Sequence, residues 1–90
     1  MDCIEREIVI QNRLGLHARA AAQFVQLANQ YTCEIFIEKD GEEVNGKSIM
    51  GILMLAAPKG TTITLRTQGD DAQVALDALQ DLIDDKFGED

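Results

Sequence analysis

The apolar positions of this chain switch between a period of two and a period near 3.6, and the switches mark its elements. Residues 4–10, Ile-Glu-Arg-Glu-Ile-Val-Ile, read as a strand with Ile8 and Ile10 on one face. From His17 to about Gln30, Ala20, Ala21, Phe24, Leu27, Ala28 and then Tyr31 recur at three- and four-residue spacing, which predicts a helix with one buried stripe. Residues 32–38 alternate again, with Cys33, Ile35 and Ile37 inward, and Lys39-Asp40-Gly41-Glu42 supplies an Asp-Gly hairpin turn into a short strand around Glu43 to Asn45. Asn45-Gly46-Lys47-Ser48 resembles a helix start with Lys47 or Ser48 near the first turn. The run from Ile49 to Ala57 is helical by its Met and Leu content, a buried strand being the alternative, and Pro58-Lys59-Gly60 ends it. Residues 61–67 alternate with Ile63 and Leu65 on one face. Asp70 with Gln73 reads as a capping box with Asp as the cap. The helix that follows carries Val74, Ala75, Ala78, Leu79, Leu82, Ile83 and Phe87 on one side, and Gly88 suits its end.

The predicted order is therefore β-α-β-β-α-β-α, with no internal repeat or linker. Each strand has one apolar face and each long helix one apolar stripe. The simplest arrangement is an α+β open-faced sandwich, an antiparallel or mixed sheet covered on one side by helices.

Composition narrows the class. Ninety residues suit a single domain spanning 1–90, too short for two independent cores. No apolar run reaches the roughly 18 residues of a membrane helix, and the opening Met-Asp-Cys-Ile-Glu-Arg-Glu lacks the features of a secretory signal. A soluble cytoplasmic protein is expected. The net charge of −8 argues against nucleic acid as a partner, because phosphate backbones need a basic surface. The acidity is uneven: residues 11–33 hold Arg13 and Arg19 and no Asp or Glu, so this stretch would tolerate an anion. Cys3 and Cys33 fit neither a disulfide framework nor a zinc ligand set, and no metal or cofactor is expected.

The candidate chemistry sits in that acid-free stretch. "LGLHARAAAQF" places the only histidine, His17, at a helix start, where the first N–H groups have no intrahelical acceptors and favour anions. A neutral imidazole there could attack a phosphoryl group, and Arg19 could brace the phosphoryl oxygens. The competing reading makes His17 a helix-boundary residue and Arg19 a solvated charge. Ser48, the only serine, reads from the residues as a helix-start residue whose hydroxyl hydrogen-bonds a backbone N–H. "IMGILMLAA" is apolar all round, so a one-sheet domain cannot bury all of it; Ile52 and Leu55 are assigned to the core, while Ile49, Met50 and Leu53 fall together at helical spacing.

Two segments resemble one known family. "LGLHARAAAQF" is similar to the active-site segment, and "NGKSIMGILMLAAPKGTTITL" to the second signature, of the HPr family of histidine-containing phosphocarriers of the bacterial phosphoenolpyruvate-dependent phosphotransferase system. The resemblance covers nearly the whole chain. It implies a four-stranded antiparallel sheet covered on one face by three helices. It also implies that His17 accepts a phosphoryl group on Nδ1 from phospho-enzyme I and passes it to an EIIA domain, assisted by Arg19. By the same resemblance Ser48 matches the serine modified by HPr kinase/phosphorylase, and Ile49, Met50 and Leu53 match a partner-docking patch. Such a protein is a relay component and a monomer with transient contacts, not a stand-alone catalyst. One departure stands out: the family usually has proline after the arginine, and this chain has Ala20, which predicts a slightly looser helix start and puts the usual sugar-transport partners in doubt. The competing class is a regulatory interaction module on the same fold, of the nitrogen branch or acting through Ser48. An acyl carrier fits poorly, because that family is all-helical with aspartate before its serine, where this chain has Lys47.

Overall fold

Inward-facing branched side chains organise four strands into one sheet. These are β1 (Cys3–Val9), β2 (Glu34–Lys39), β3 (Glu42–Asn45) and β4 (Thr62–Gln68), in the order β1-β4-β2-β3 with every pairing antiparallel. The computed structural model describes residues 3–89. Ile8 lies opposite Ile63, and Ile37 opposite Leu65, so the period-two pattern puts Ile8, Ile35, Ile37, Ile63 and Leu65 on one buried face. Glu5, Glu7, Glu34 and Thr62 point to the other face and are exposed. Asp40 and Gly41 both take positive φ, 51° and 85°, as a two-residue hairpin whose twist matches its strands requires.

The buried face is covered by α1 (Ala18–Ala28), α2 (Ile49–Met54) and α3 (Ala72–Asp84). Ala20, Ala21, Phe24 and Ala28 form the predicted stripe of α1, with Val25 beside them; Leu27 and Tyr31 pack half-buried at its edge. Phe24 is fully buried, which contributes on the order of 2–3 kcal/mol. The small alanines around it let α1 lie close to the sheet. Gly46 is needed for the same approach, since a Cβ there would lie 2.6 Å from Cγ2 of Ile35.

Four expectations are corrected. The second helix stops at Met54 rather than running to Ala57, because Ala56 turns left-handed (φ 50°). Nζ of Lys39 donates to the carbonyls of Leu55 (3.0 Å) and Ala56 (3.1 Å) there, satisfying oxygens left at the helix end. Asp70 does not cap α3. The N-cap position is Asp71, and its carboxylate instead crosses to accept from the backbone N–H groups of Thr32 (2.8 Å) and Cys33 (2.9 Å), while Gln73 bonds Asp77 (3.1 Å) within the helix. The Thr32 N–H holds the Asp71 carboxyl below its ordinary pKa; this contribution to stability is present at neutral pH and is lost as pH falls through the folded-state value. Finally, Val74 is 61% exposed, and the stripe of α3 runs through Ala72, Ala75, Leu76, Leu79 and Ile83. Their three- and four-residue spacing excludes Val74 from the face.

The last helix also ends earlier than predicted. It stops at Asp84, and Lys86 and Phe87 turn left-handed (φ 57° and 54°) in a single 3₁₀ turn, Lys86–Gly88. Phe87 is still buried, but the turn bends the chain back toward α1.

Candidate functional site

The segment between β1 and α1 is built to present its histidine. Ile10 continues the sheet edge by exchanging hydrogen bonds with Thr61 and Gly60, both 2.8 Å. Asn12 then opens a turn closed by the Gly15 N–H at 3.2 Å, with Asn at its first position and Gly at its fourth, a type I signature. Gly15 has φ 67°, and a Cβ there would lie 2.5 Å from the Ala57 carbonyl oxygen. Leu16 is buried and its N–H donates to that same oxygen at 2.9 Å. This fixes the residue before His17 against the chain that leaves α2.

His17 is the N-cap of α1, extended (φ −81°, ψ −178°), and its side chain caps nothing. The first intrahelical bond is Ala21 N–H to the His17 carbonyl at 2.8 Å, which leaves the N–H groups of Ala18, Arg19 and Ala20 ahead of it without an intrahelical acceptor. Ala20 is therefore the third helical residue. Proline there would forfeit no helical bond; alanine keeps one more free donor at this end. The half-buried imidazole directs Nδ1 at the Gly15 carbonyl, 3.1 Å away. A carbonyl only accepts, so this contact requires the proton on Nδ1 and leaves the lone pair on Nε2.

Two hollows flank the ring. One of about 290 Å³ is lined by Leu14, Leu16, His17, Ala56, Ala57 and Pro58 and is mostly apolar. The other, about 60 Å³, brings His17 and Arg19 together with Glu89. Glu89 and Asn12 were not singled out from the sequence. Asn12 is fully buried, and its Nδ2 donates to the Gly15 carbonyl (2.7 Å) and to Oε2 of Glu89 (2.6 Å). The Asn12 bond holds the Glu89 carboxyl below its ordinary pKa. Asn12 was legible only as the Asn of an Asn-x-x-Gly turn, and Glu89 not at all.

Ser48 lies at the far end of α2 from the segment that borders His17. It is the N-cap, and its Oγ accepts from the Gly51 N–H at 3.1 Å. Lys47 steadies the same end, with Nζ donating to the Tyr31 carbonyl at 2.7 Å. Ser48→Ala is expected to lower unfolding free energy by about 1 kcal/mol, read as a shift in urea midpoint at constant slope. Of the residues between, Ile52 and Leu55 are core; Ile49 and Met50 are exposed, Met50 at 70%, and Leu53 is half-buried. Met54 (69%) and Leu14 add exposed apolar surface that the spacing did not single out.

Among the described residues no three His, Cys, Asp or Glu side chains gather as a metal site, and no helix is long and apolar enough to cross a membrane. Cys3 and Cys33 are both free; burial raises the Cys33 thiol to a pKa of about 11.

Residues 4–85 match the family model described as the PTS HPr component phosphorylation site. The phosphocarrier protein HPr of Neisseria meningitidis serogroup A is 52% identical over 86 residues, 96% of this chain and 97% of that protein. The HPr-like protein Crh of Halalkalibacterium halodurans is 55% identical over 76 residues, 84% of this chain and 90% of that protein. The crystal structure of HPr-C-His from Thermoanaerobacter tengcongensis superposes with a TM-score of 0.93 at 49% identity, covering 97% of this chain and 98% of that one. An open-faced sandwich in the same order, matched in sequence along nearly its whole length, places this chain in the HPr family of phosphotransferase-system phosphocarriers.

Proposed function

We propose that this protein is a cytoplasmic phosphocarrier, a monomer in which Nδ1 of His17 accepts a phosphoryl group from phospho-enzyme I and hands it to EIIA-type domains. The observation that carries this is the uncapped start of α1. The half-exposed imidazole stands at this end, and Ala18, Arg19 and Ala20 offer N–H donors without an intrahelical acceptor beside it. A dianionic phosphoryl group on the ring gains from those donors and from the helix dipole. The Arg19 guanidinium adds a permanent positive charge.

For transfer, Nδ1 must first give up its proton, because its lone pair forms the new N–P bond. The ring therefore leaves the Gly15 carbonyl, water takes that proton, and Nε2 carries one instead. The P–N bond of the donor breaks, and its electron pair returns to the donor nitrogen. The reverse sequence delivers the group to the next acceptor. No metal or second base is needed, since a neutral imidazole nitrogen attacks directly.

The apolar hollow beside His17, continued by Ile49, Met50 and Leu53, is the surface on which donor and acceptor would both dock. Exposed methionine suits partners of different shape. Met50→Glu is expected to lower kcat/KM for phosphoryl transfer from enzyme I by about tenfold while the thermal midpoint stays within a few degrees. Undiminished transfer would remove Met50 from the docking surface. Ser48 is proposed as the regulatory phosphorylation site of an HPr kinase/phosphorylase. Phosphate on its Oγ would add about two negative charges at the edge of that surface.

The direct test is incubation with phosphoenolpyruvate and enzyme I. The expected product is an acid-labile, base-stable phosphate that a purified EIIA domain then removes. No label on the wild-type protein would falsify the proposal. A second function, a regulatory module with little part in sugar transport, is favoured by the similarity to Crh and by Ala20. Pull-downs with phosphate on His17, on Ser48 or on neither separate the two. Partners recruited only by the Ser48 phosphate support the regulatory module, and partners indifferent to both phosphates count against it.

A further inference from the structure

We propose that Glu89 is a positioning residue for His17, acting through Asn12 and the Gly15 carbonyl to hold the ring in its Nδ1–H orientation and so raise the tendency of phosphohistidine to give up its phosphoryl group. This rests on the phosphocarrier function proposed above.

Four groups form one hydrogen-bonded chain. Glu89 Oε2 accepts from Asn12 Nδ2 at 2.6 Å, Asn12 Nδ2 donates to the Gly15 carbonyl at 2.7 Å, and that carbonyl faces His17 Nδ1 at 3.1 Å. The chemistry of the chain allows one polarity. Gly15 O and an ionised carboxylate are both acceptors, so the Asn12 amide must turn its two N–H bonds toward them. The consequence is visible at the other end of the amide. Oδ1 of Asn12 is buried without a hydrogen-bond partner among the described residues. A buried amide does not leave its oxygen unpaired without compensation, and the charge-assisted bond to Glu89 is the compensation available. Without the carboxylate, the amide has less reason to keep that orientation. Asn12 and Gly15 also close the same turn, so the loop bearing His17 loosens with it.

Two effects of Glu89 point the same way. Holding Gly15 O toward the ring favours the proton on Nδ1, the form that cannot carry a phosphoryl group. Once the N–P bond has formed, that nitrogen has no hydrogen to donate, so the contact with the Gly15 carbonyl is lost. The Glu89 carboxylate lines the small hollow shared by His17 and Arg19, so its charge opposes the phosphoryl charge as well. Both destabilise the phosphorylated form relative to the free one, which is what a relay needs in order to pass its cargo on. The carboxylate is placed there by the left-handed residues Lys86 and Phe87 and by the burial of Phe87.

The experiment compares wild type, Glu89→Gln and Glu89→Ala, each first shown to be folded by its amide NMR spectrum. Ring-nitrogen NMR of the unphosphorylated proteins reads the tautomer. Wild type is expected to hold the Nδ1–H form, Glu89→Gln to keep most of it because its amide oxygen still accepts from Asn12, and Glu89→Ala to move toward Nε2–H. Equilibration with enzyme I at a fixed ratio of phosphoenolpyruvate to pyruvate reads the second effect. The ratio of phosphorylated to free protein is expected to rise about two- to fivefold in Glu89→Ala, and by a smaller factor in Glu89→Gln. Identical tautomers and identical ratios in all three proteins overturn the proposal while leaving the phosphocarrier function standing. If wild type takes no phosphate, that function fails and the part concerning phosphoryl release fails with it. The tautomer comparison, which needs no phosphate, still decides whether Glu89 positions the ring.

Discussion

His17→Ala is expected to take up no acid-labile phosphate from enzyme I, a fall of at least about 10³-fold in transfer rate, with the fold intact. No other histidine exists in the chain, so nothing can substitute for the lost lone pair. The usual objection to such a variant, that it removes a structural residue, has little force here. The imidazole caps nothing in α1, and among the described residues its only hydrogen bond is the contact with the Gly15 carbonyl, worth about 1 kcal/mol. With no cap bond to lose at this N-cap, urea denaturation should place the variant within about 1–2 kcal/mol of wild type. Residual label on His17→Ala would move the acceptor elsewhere. Acid-stable label would point to Ser48, and a Ser48→Ala background would resolve it.

Gly15→Ala is expected to be the most damaging of the small substitutions, costing roughly 2–4 kcal/mol, a loss of some 10–25 °C in thermal midpoint. Two penalties add. The backbone at φ 67° is left-handed, which costs any other residue about 1–2 kcal/mol. The new Cβ would meet the Ala57 oxygen at 2.5 Å and the Pro58 Cα at 2.8 Å, and both are backbone atoms that cannot swing aside as a side chain would. Relief requires moving the segment after α2, which breaks the Leu16 N–H to Ala57 bond and displaces His17 with it. Gly41→Ala is the matched control: φ is 85° there, but nothing lies within 4 Å of the added carbon, so only the conformational cost applies. Equal losses in the two variants would refute the close-approach account. The expected difference is about 1–3 kcal/mol.

Much of the fold was readable because the chain's local signals agree with one another. Alternation in β2 and β4, the Asp40-Gly41 turn and the alanine stripe of α1 each predict the element that forms, with boundaries within two residues. The errors fall where a local pattern was overruled by a distant contact. Asp70 and Gln73 have capping-box spacing, but Asp71 finds better partners in the backbone of Thr32 and Cys33, far off in sequence. Ala57 continued an apolar run, yet the left-handed turn at Ala56 was favoured once Lys39 of the neighbouring strand could reach the helix carbonyls. Val74 is the exception: the spacing of Ala72, Leu76 and Leu79 itself denies it the buried face, with no distant contact involved.

The site divides in the same way. His17, Arg19 and Ser48 could be named from sequence because a lone nucleophile at a helix start and a lone serine before an apolar run are local features. The Asn12–Glu89 pair could not, because three of the four strands lie between the two residues in sequence and they meet only after Lys86 and Phe87 turn the chain back. Periodicity and turn chemistry act over a few residues, and by themselves they determined the order of elements, the sheet's apolar face, and where the histidine would sit. Which carboxylate stands behind that histidine and how much of the apolar second helix stays in solvent depend on contacts between residues far apart in sequence. Only packing of α3 and its following turn against α1 and the sheet brings Glu89 within hydrogen-bonding distance of Asn12.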